Sequence, residues 1–360
     1  MFENTFRGRR VLVTGHTGFK GAWLTQWLLK LGAEVCGYST SVPSLPSLYY
    51  FLALKDKIRD VRADIRDSRR LAKEFAEWKP EFVFHLAAQS LVRLSYAQPV
   101  ETFEVNAMGT IQLLEAIRNS PLPCVAIMVT SDKCYENQER PTGYAEDDPL
   151  GGIDPYSSSK AMCELAVQSY RQAYFKDHRV RLASVRAGNV IGGGDWAADR
   201  IVPDCVRALQ AGKDIAVRNP SACRPWQHVL EPLSGYLTLA EQLNAANTDD
   251  RLNELCGPFN FGPKEQSHQC VQQLVETIIS QWPLKAGPAK WIDQSDPNAV
   301  HEAKLLSLDT TKAQRVLNWS SRWDFSKTVS ETVQWYREVH GEGNAQQVTL
   351  RQIEDFERSV

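Results

Sequence analysis

An excess of positive charge is missing from this chain. Lys and Arg number 41 against 43 Asp and Glu, a formal net charge of −2 over 360 residues. No broad basic field exists to attract nucleic acid or an anionic membrane. No apolar run approaches the roughly 20 residues that a membrane-spanning helix needs. The opening residues, MFENTFRGRR, hold no apolar core of a secretory signal, so a cytoplasmic protein is expected. The eight cysteines, from Cys36 to Cys270, include no C-x-x-C, and no two of the seven histidines stand at ligand spacing. That pattern indicates reduced thiols rather than a disulfide framework or a zinc site, and no metal is expected. Repeats and low-complexity tracts are also missing. What remains is ordinary globular composition, 43% hydrophobic and 23% charged, long enough for one large domain or two closely joined ones.

Alternation fills the first half. Strand-like runs at residues 10–13, 34–38, 57–63, 82–86, 125–129 and 180–185 are separated by helical patterns at 24–31, 68–78, 100–118 and 156–175. Such alternation predicts an α/β fold with a doubly wound parallel sheet covered on both faces. Ligands in such sheets sit beyond the carboxyl ends of the strands. TGHTGFKG, HLAAQS, VTSDK and VRAGNVIGGG all begin where an apolar strand stops, so four loops gather on one edge. After Asn189 the pattern loosens into segments suited to covering a pocket. Helical patterns resume near 233–243, 271–282, 311–317 and 325–339, a smaller lobe plus an element returning to the sheet. The polar residues after Gly341 suggest a surface helix.

TGHTGFKG, Thr14 to Gly21, joins a strand to a helix. Its glycines are spaced G-x-x-G-x-x-G, a variant of the dinucleotide fingerprint. Gly15 permits a sharp turn, Gly18 lets a pyrophosphate approach the positive end of the helix, and Gly21 lets helix and sheet pack closely. A glycine turn that binds nothing is the bland alternative. Further on, Tyr156-Ser-Ser-Ser-Lys160 places Tyr156 and Lys160 on one helix face. A tyrosine with a pKa of about 10 is a poor base at neutral pH unless a cation favours the phenolate, and Lys160 is expected to supply that charge. A solvated surface pair is the alternative there.

These pieces, with HLAAQS, VTSDKCY and VRAGNV in order along the chain, resemble the extended short-chain dehydrogenase/reductase family. The resemblance implies a Rossmann domain, residues 1–187 plus about 226–265. It implies a smaller, mostly C-terminal α/β lobe for a sugar nucleotide, residues 188–225 plus about 266–360. Gly15, Thr17, Gly18, Phe19, Gly21, Ser39, Asp64, Ile65, Leu86, Ala87, Ala88, Asn106 and Thr130 would surround the cofactor together with Tyr156 and Lys160. Ser131 would hydrogen-bond the sugar 4-hydroxyl, Tyr156 would remove its proton, and Lys160 would hold the nicotinamide ribose. Gln89, Ser90, Asn189, Arg200 and Arg224 would meet the substrate, the last three through its phosphates, where the bidentate guanidinium of an arginine is suited.

Thr130-Ser-Asp-Lys-Cys-Tyr135 narrows the expectation to the sugar-nucleotide 4,6-dehydratases it resembles. There an Asp protonates the departing 6-hydroxyl and a following Glu takes the C5 proton. Here Asp132 is kept and Lys133 replaces the Glu, so the C5 base stays open. The lysine, with RPWQHV at Arg224 to Val229 and NVIGGGDW at Asn189 to Trp196, resembles the CDP-glucose branch of that family. A 4-epimerase, a reductase and a non-catalytic dinucleotide sensor are the rivals. The second strand ends Cys36-Gly-Tyr-Ser-Thr40, with no carboxylate for a ribose 2′-hydroxyl and no arginine close behind for a 2′-phosphate. NAD is therefore expected from the resemblance alone, as is a homodimer built through the helices at 100–118 and 156–175. Val105, Met108, Ile111 and Leu114 fit that pairing and fit packing on the sheet equally.

Overall fold

Six strand-like runs become the strands β1 (Arg10–Thr14), β2 (Glu34–Ser39), β3 (Arg59–Arg62), β4 (Phe82–His85), β5 (Cys124–Val129) and β6 (Val180–Ala187). All six residues of β5 and all four of β4 are buried, as a sheet covered on both faces requires. In the computed structural model, which describes residues 1–2, 4–282, 289–296, 305–341 and 343–359, these strands and Pro258–Phe261 form one seven-stranded sheet. Its order is Pro258–Phe261, β6, β5, β4, β1, β2, β3, and every pairing is parallel. The order reverses between β1 and β4, so the ligand crevice lies beyond their carboxyl ends. Helix α1 (Phe19–Lys30) follows β1 directly and buries Trp23, Leu24, Trp27 and Leu28.

The remaining strands are short pairs: Val190–Ile191 with Gln227–His228, Cys223–Pro225 with His268–Cys270, and Ile215–Val217 with Trp291–Asp293. They and the helix Ile201–Gln210 occupy the stretch after Asn189 and roof the crevice. One apolar cluster runs from α1 and one sheet face into this part of the chain, through Trp27, Trp323, Trp335 and Phe356. Leu12, Val83, Leu114 and Leu182 centre another on the opposite face.

Two expectations need correction. The pattern at 100–118 is not one α-helix but Pro99–Phe103, a π-helical turn Glu104–Met108, and Gly109–Arg118. The Asn106 carbonyl there accepts from Thr110 Oγ1 at 2.7 Å and Cys163 Sγ at 3.2 Å, side chains competing with the helical N–H for one acceptor. The polar C-terminal stretch is not a mere surface helix either. Ala345–Arg358 buries Val348, Ile353 and Phe356, and the Phe356 ring meets Trp27 of α1 edge-on at 5.9 Å. Its average polarity hides a single apolar stripe.

Candidate active site

The glycine turn is built for close approach. Gly15 has φ +76°, and a Cβ there would lie 2.7 Å from the Ala87 backbone nitrogen, on the loop after β4. A Cβ on Gly21 would lie 2.1 Å from the Gly15 carbonyl oxygen. Gly18, the N-cap of α1, differs: its φ is −76°, and a Cβ there would meet only the Gly15 oxygen at 3.4 Å. No side chain caps α1 and no acidic residue stands in its first turn. The positive end of the helix is thus left to a ligand, and the cradle fits a dinucleotide pyrophosphate.

The cleft above these loops holds about 1820 Å³. It is lined by Gly15, Thr17, Gly18, Phe19, Gly21, Ser39, Asp64, Ile65, Leu86, Ala87, Ala88, Thr130, Ser131, Asp132, Lys133, Tyr156 and Lys160. Ser90, Asn189, Arg200 and Arg224 line it too, so the fold gathers nearly all the residues expected at the site. Gln89 and Asn106 are the exceptions. The Asn106 amide is spent on the Gln89 backbone N–H (2.8 Å), the Gln89 carbonyl (3.0 Å) and Ser159 Oγ (2.8 Å). The Gln89 amide donates to the Leu91 carbonyl and Thr102 Oγ1, both at 3.0 Å. With their polar ends satisfied internally, the pair braces the cleft wall from behind instead of meeting a ligand.

β5 ends by delivering Thr130, Ser131 and Asp132 to the floor. Ser131 caps a 3₁₀ turn, Asp132–Cys134, and its Oγ donates to Asp132 Oδ1 at 2.9 Å. Asp132 is buried, and a Cβ on Gly188 would sit 3.0 Å from its Oδ2. Tyr156 enters at the start of the helix Pro155–Tyr174, N-capped by Asp154, and its backbone N–H donates to Ser95 Oγ at 3.2 Å. After burial, Ser131 and Asp132 most affect the Tyr156 phenol, the first favouring and the second opposing its ionised form. Beneath the floor, Glu164 receives Thr130 Oγ1 at 2.5 Å, Ser184 Oγ at 2.7 Å and Arg186 Nη2 at 2.9 Å. That fully buried ion pair ties β5 and β6 to the helix carrying Tyr156.

The expected lowering of the Tyr156 pKa by Lys160 is corrected. Burial drives the phenol up, with Asp132 adding to it, while Ser131 and the Arg200 guanidinium oppose. Lys160 instead points its ammonium at the Val129 carbonyl, 3.4 Å away, and burial lowers its own pKa. Arg200 is held by Asp195 at 2.8 Å and by Ser90 Oγ at 3.3 Å.

Two residues of the glycine motif, Lys20 and His16, were not among those expected at the site. Lys20 lines the cleft, and desolvation, helped by Arg200 and Lys160 against Asp132, brings its pKa down to about 8. His16 is buried between Asp60 Oδ1 (2.7 Å) and Ser39 Oγ (3.1 Å). Its ring fills the space above Gly37, where a Cβ would lie 2.4 Å from His16 Cγ. Polar residues at places where a glycine turn is ordinarily small or apolar were the available signal.

Comparison with known proteins agrees with this geometry. A family model described as GDP-mannose 4,6 dehydratase matches residues 12–332. The CDP-glucose 4,6-dehydratase of Salmonella typhimurium is 44% identical over 340 residues, covering 93% of this chain and 92% of that protein. Among solved structures, the UDP-glucose 4-epimerase of Thermotoga maritima has a TM-score of 0.77 at 20% identity, covering 92% of this chain and 99% of its own. The dTDP-glucose 4,6-dehydratase of Bacillus anthracis, in complex with NAD, has a TM-score of 0.76 at 19% identity, covering 94% and 100%. At those identities the two structures speak for the fold. The family match spans strand, glycine cradle, Ser-Asp turn and tyrosine helix alike, and the chain belongs to the GDP-mannose 4,6 dehydratase family.

Proposed function

We propose that this protein is an NAD-dependent CDP-glucose 4,6-dehydratase, a lyase that turns CDP-glucose into CDP-4-keto-6-deoxyglucose and water. One observation carries the reading: Ser131, Asp132 and Tyr156 meet in a single buried floor beneath the glycine cradle. The 44% identity to a CDP-glucose 4,6-dehydratase supports the choice of nucleotide, and the NAD complex of a structural neighbour supports the cofactor. A sensor of the same fold has no use for that trio, and an epimerase has no use for an acid beyond C4.

The cofactor would lie along Gly15, Gly18 and Gly21, with its adenine toward Asp64 and Ile65 and its nicotinamide toward Tyr156 and Lys160. When bound it supplies a hydride acceptor for C4 and returns the hydride at C6. Tyr156 takes the proton of the 4-hydroxyl, with Ser131 holding the same oxygen. Burial opposes the phenolate, so the base function depends on nearby positive charge, which Arg200 supplies. The resulting ketone acidifies C5–H. Asp132 delivers a proton to the departing 6-hydroxyl. Lys20, whose pKa burial brings down to about 8, and Lys133 both line the cleft. The neutral amine of Lys20 takes the C5 proton and gives it back to C5 when the hydride reaches C6, and Lys133 lies beside the enolate. Arg224 and Arg200 hold the diphosphate, and residues 188–225 plus about 266–360 form the lobe that closes over the sugar nucleotide.

We also assign a homodimer and a cytoplasmic location. No helix of the described residues is long and apolar enough to cross a membrane. Val100, Met108, Met162, Leu165 and Tyr174 are exposed on the paired helices, Leu165 by 54%. Leu114, in contrast, is fully buried, so the 100–118 stripe divides between core and surface. Leu165→Glu should yield a monomer in sedimentation, and an unchanged dimer would refute that face.

The deciding experiment incubates the pure protein with CDP-, UDP-, GDP- and dTDP-glucose and measures keto-sugar without added reductant. Turnover with CDP-glucose foremost is expected; no product from any of them would refute the assignment. Tyr156→Phe should cost roughly 10²–10⁴ in turnover while the cofactor stays bound. Near-normal turnover would remove Tyr156 from the chemistry.

A further inference from the structure

Six of the eight cysteines are buried, and the two that are not, Cys223 and Cys270, stand together. They are directly opposite each other on the antiparallel strands Cys223–Pro225 and His268–Cys270. The flanking backbone bonds fix the kind of pair. The Val271 N–H donates to the Ala222 carbonyl at 2.9 Å, and the Trp226 N–H to the Ser267 carbonyl at 3.2 Å. Bonded and non-bonded positions alternate along an antiparallel ladder. Positions 222/271 and 226/267 are therefore bonded, and Cys223/Cys270 is a non-bonded pair. Such pairs hold their Cα atoms about 4.5 Å apart, inside the roughly 4.4–6.8 Å that a disulfide spans. The two sulfurs already lie 2.7 Å from each other.

The two thiols are not equivalent. Cys270 caps the eleven-residue helix Val271–Gln281, its sulfur accepting from the Gln273 N–H. The Cys223 thiol is pushed up, first by its hydrogen bond to Cys270 and then by burial. The pair also borders the cleft. Arg224, which lines the cleft, donates through Nη1 to the Cys223 carbonyl at 2.9 Å.

We propose that Cys223 and Cys270 form an oxidisable dithiol site that closes to a disulfide by exchange with a small-molecule disulfide such as oxidised glutathione. The Cys270 thiolate attacks one sulfur of the small disulfide and expels one thiolate. Cys223 then loses its proton and attacks the Cys270 sulfur of the mixed disulfide, expelling the second thiolate. Two protein thiols are oxidised by two electrons, and one disulfide is reduced to two thiols that take up the two protons. The new bond pins the strand bearing Arg224 to the strand leading into Val271–Gln281. None of this depends on which sugar nucleotide the cleft binds.

The test treats the intact protein with oxidised glutathione, alkylates free thiols and maps peptides without reduction. A single intramolecular link between residues 223 and 270 is expected, with the loss of two hydrogens and full reversal by dithiothreitol. The closed loop joins residues 47 apart, so the thermal midpoint should rise by about 5 °C and fall back on reduction. Cys223→Ser should leave Cys270 as a mixed disulfide with glutathione and abolish the rise. Stable glutathione adducts on both cysteines of the wild type, a link between any other pair, or two freely alkylated thiols would each overturn the proposal.

Discussion

Gly18 and Gly21 lie three residues apart in one motif, yet the structure gives them opposite burdens, and alanine at each position separates those burdens. At Gly21 an added Cβ meets backbone on every side: the Gly15 oxygen at 2.1 Å, the Gly15 carbon at 2.8 Å and His16 Cα at 2.8 Å. No side chain is there to rotate away, so α1 and the loop must part by roughly 1 Å to restore van der Waals contact. Overpacking of this kind costs up to about 3 kcal/mol. With an unfolding entropy of about 2.1 cal/mol/K per residue, a chain of 360 residues loses about 4 °C of thermal midpoint. At Gly18 the backbone suits any residue and the nearest atom is 3.4 Å away. Gly18→Ala should therefore unfold within about 1 °C of the wild type. On the cofactor placement proposed above, its methyl group would instead project toward the pyrophosphate, so NAD affinity should fall roughly 10–100-fold, about 1.4–2.7 kcal/mol. Calorimetry and a fluorescence titration with NAD, run on both variants, give the two readouts. Wild-type affinity in Gly18→Ala would refute the cradle, and wild-type stability in Gly21→Ala would refute the packing argument.

Asp132→Asn should slow elimination by roughly 10²–10⁴ while C4 oxidation is little changed, seen as reduced cofactor accumulating without product; equal slowing of both steps would reduce Asp132 to a scaffold. Glu164→Gln leaves Arg186 buried without its counter-charge and should cost about 3–5 kcal/mol in denaturant titration; a loss under 1 kcal/mol would mean the pair is dispensable. Glu231, buried and accepting N–H bonds from Arg322 and Trp323, has its pKa raised to about 7 by burial, against those bonds. A carboxyl raised on folding binds its proton more tightly in the native state, so its stabilisation is complete below about pH 4.5 and is lost as pH rises through 7. That loss amounts to at most about 3 kcal/mol. Glu231→Gln should flatten this slope in pH-dependent unfolding, and an unchanged slope would place its origin elsewhere.

The sequence alone determined what short-range physics controls. Apolar runs of strand length, glycines spaced three apart and a tyrosine four residues before a lysine each constrain their own neighbourhood. The order of those pieces therefore announced a parallel sheet with its loops on one edge. The lengths of Ser68–Trp78, capped by Asp67, and of Thr311–Leu317, ended by the left-handed Asn318, were legible to the residue. Tertiary structure decided whatever depends on distant partners. In the π turn at Glu104–Met108 the Asn106 carbonyl accepts from Thr110, just after the turn, and from Cys163 far along the chain. Gln89 and Asn106 stand outside the cleft lining because the Asn106 amide is taken by the Gln89 backbone and Ser159, and the Gln89 amide by Leu91 and Thr102. The charge felt by Tyr156 comes from Arg200, on a segment that sequence spacing cannot place, while Lys160 in the very next turn faces a backbone carbonyl. Local spacing says which side chains share a face; only the packed fold says what that face meets, because burial and Coulomb interactions depend on separation through space.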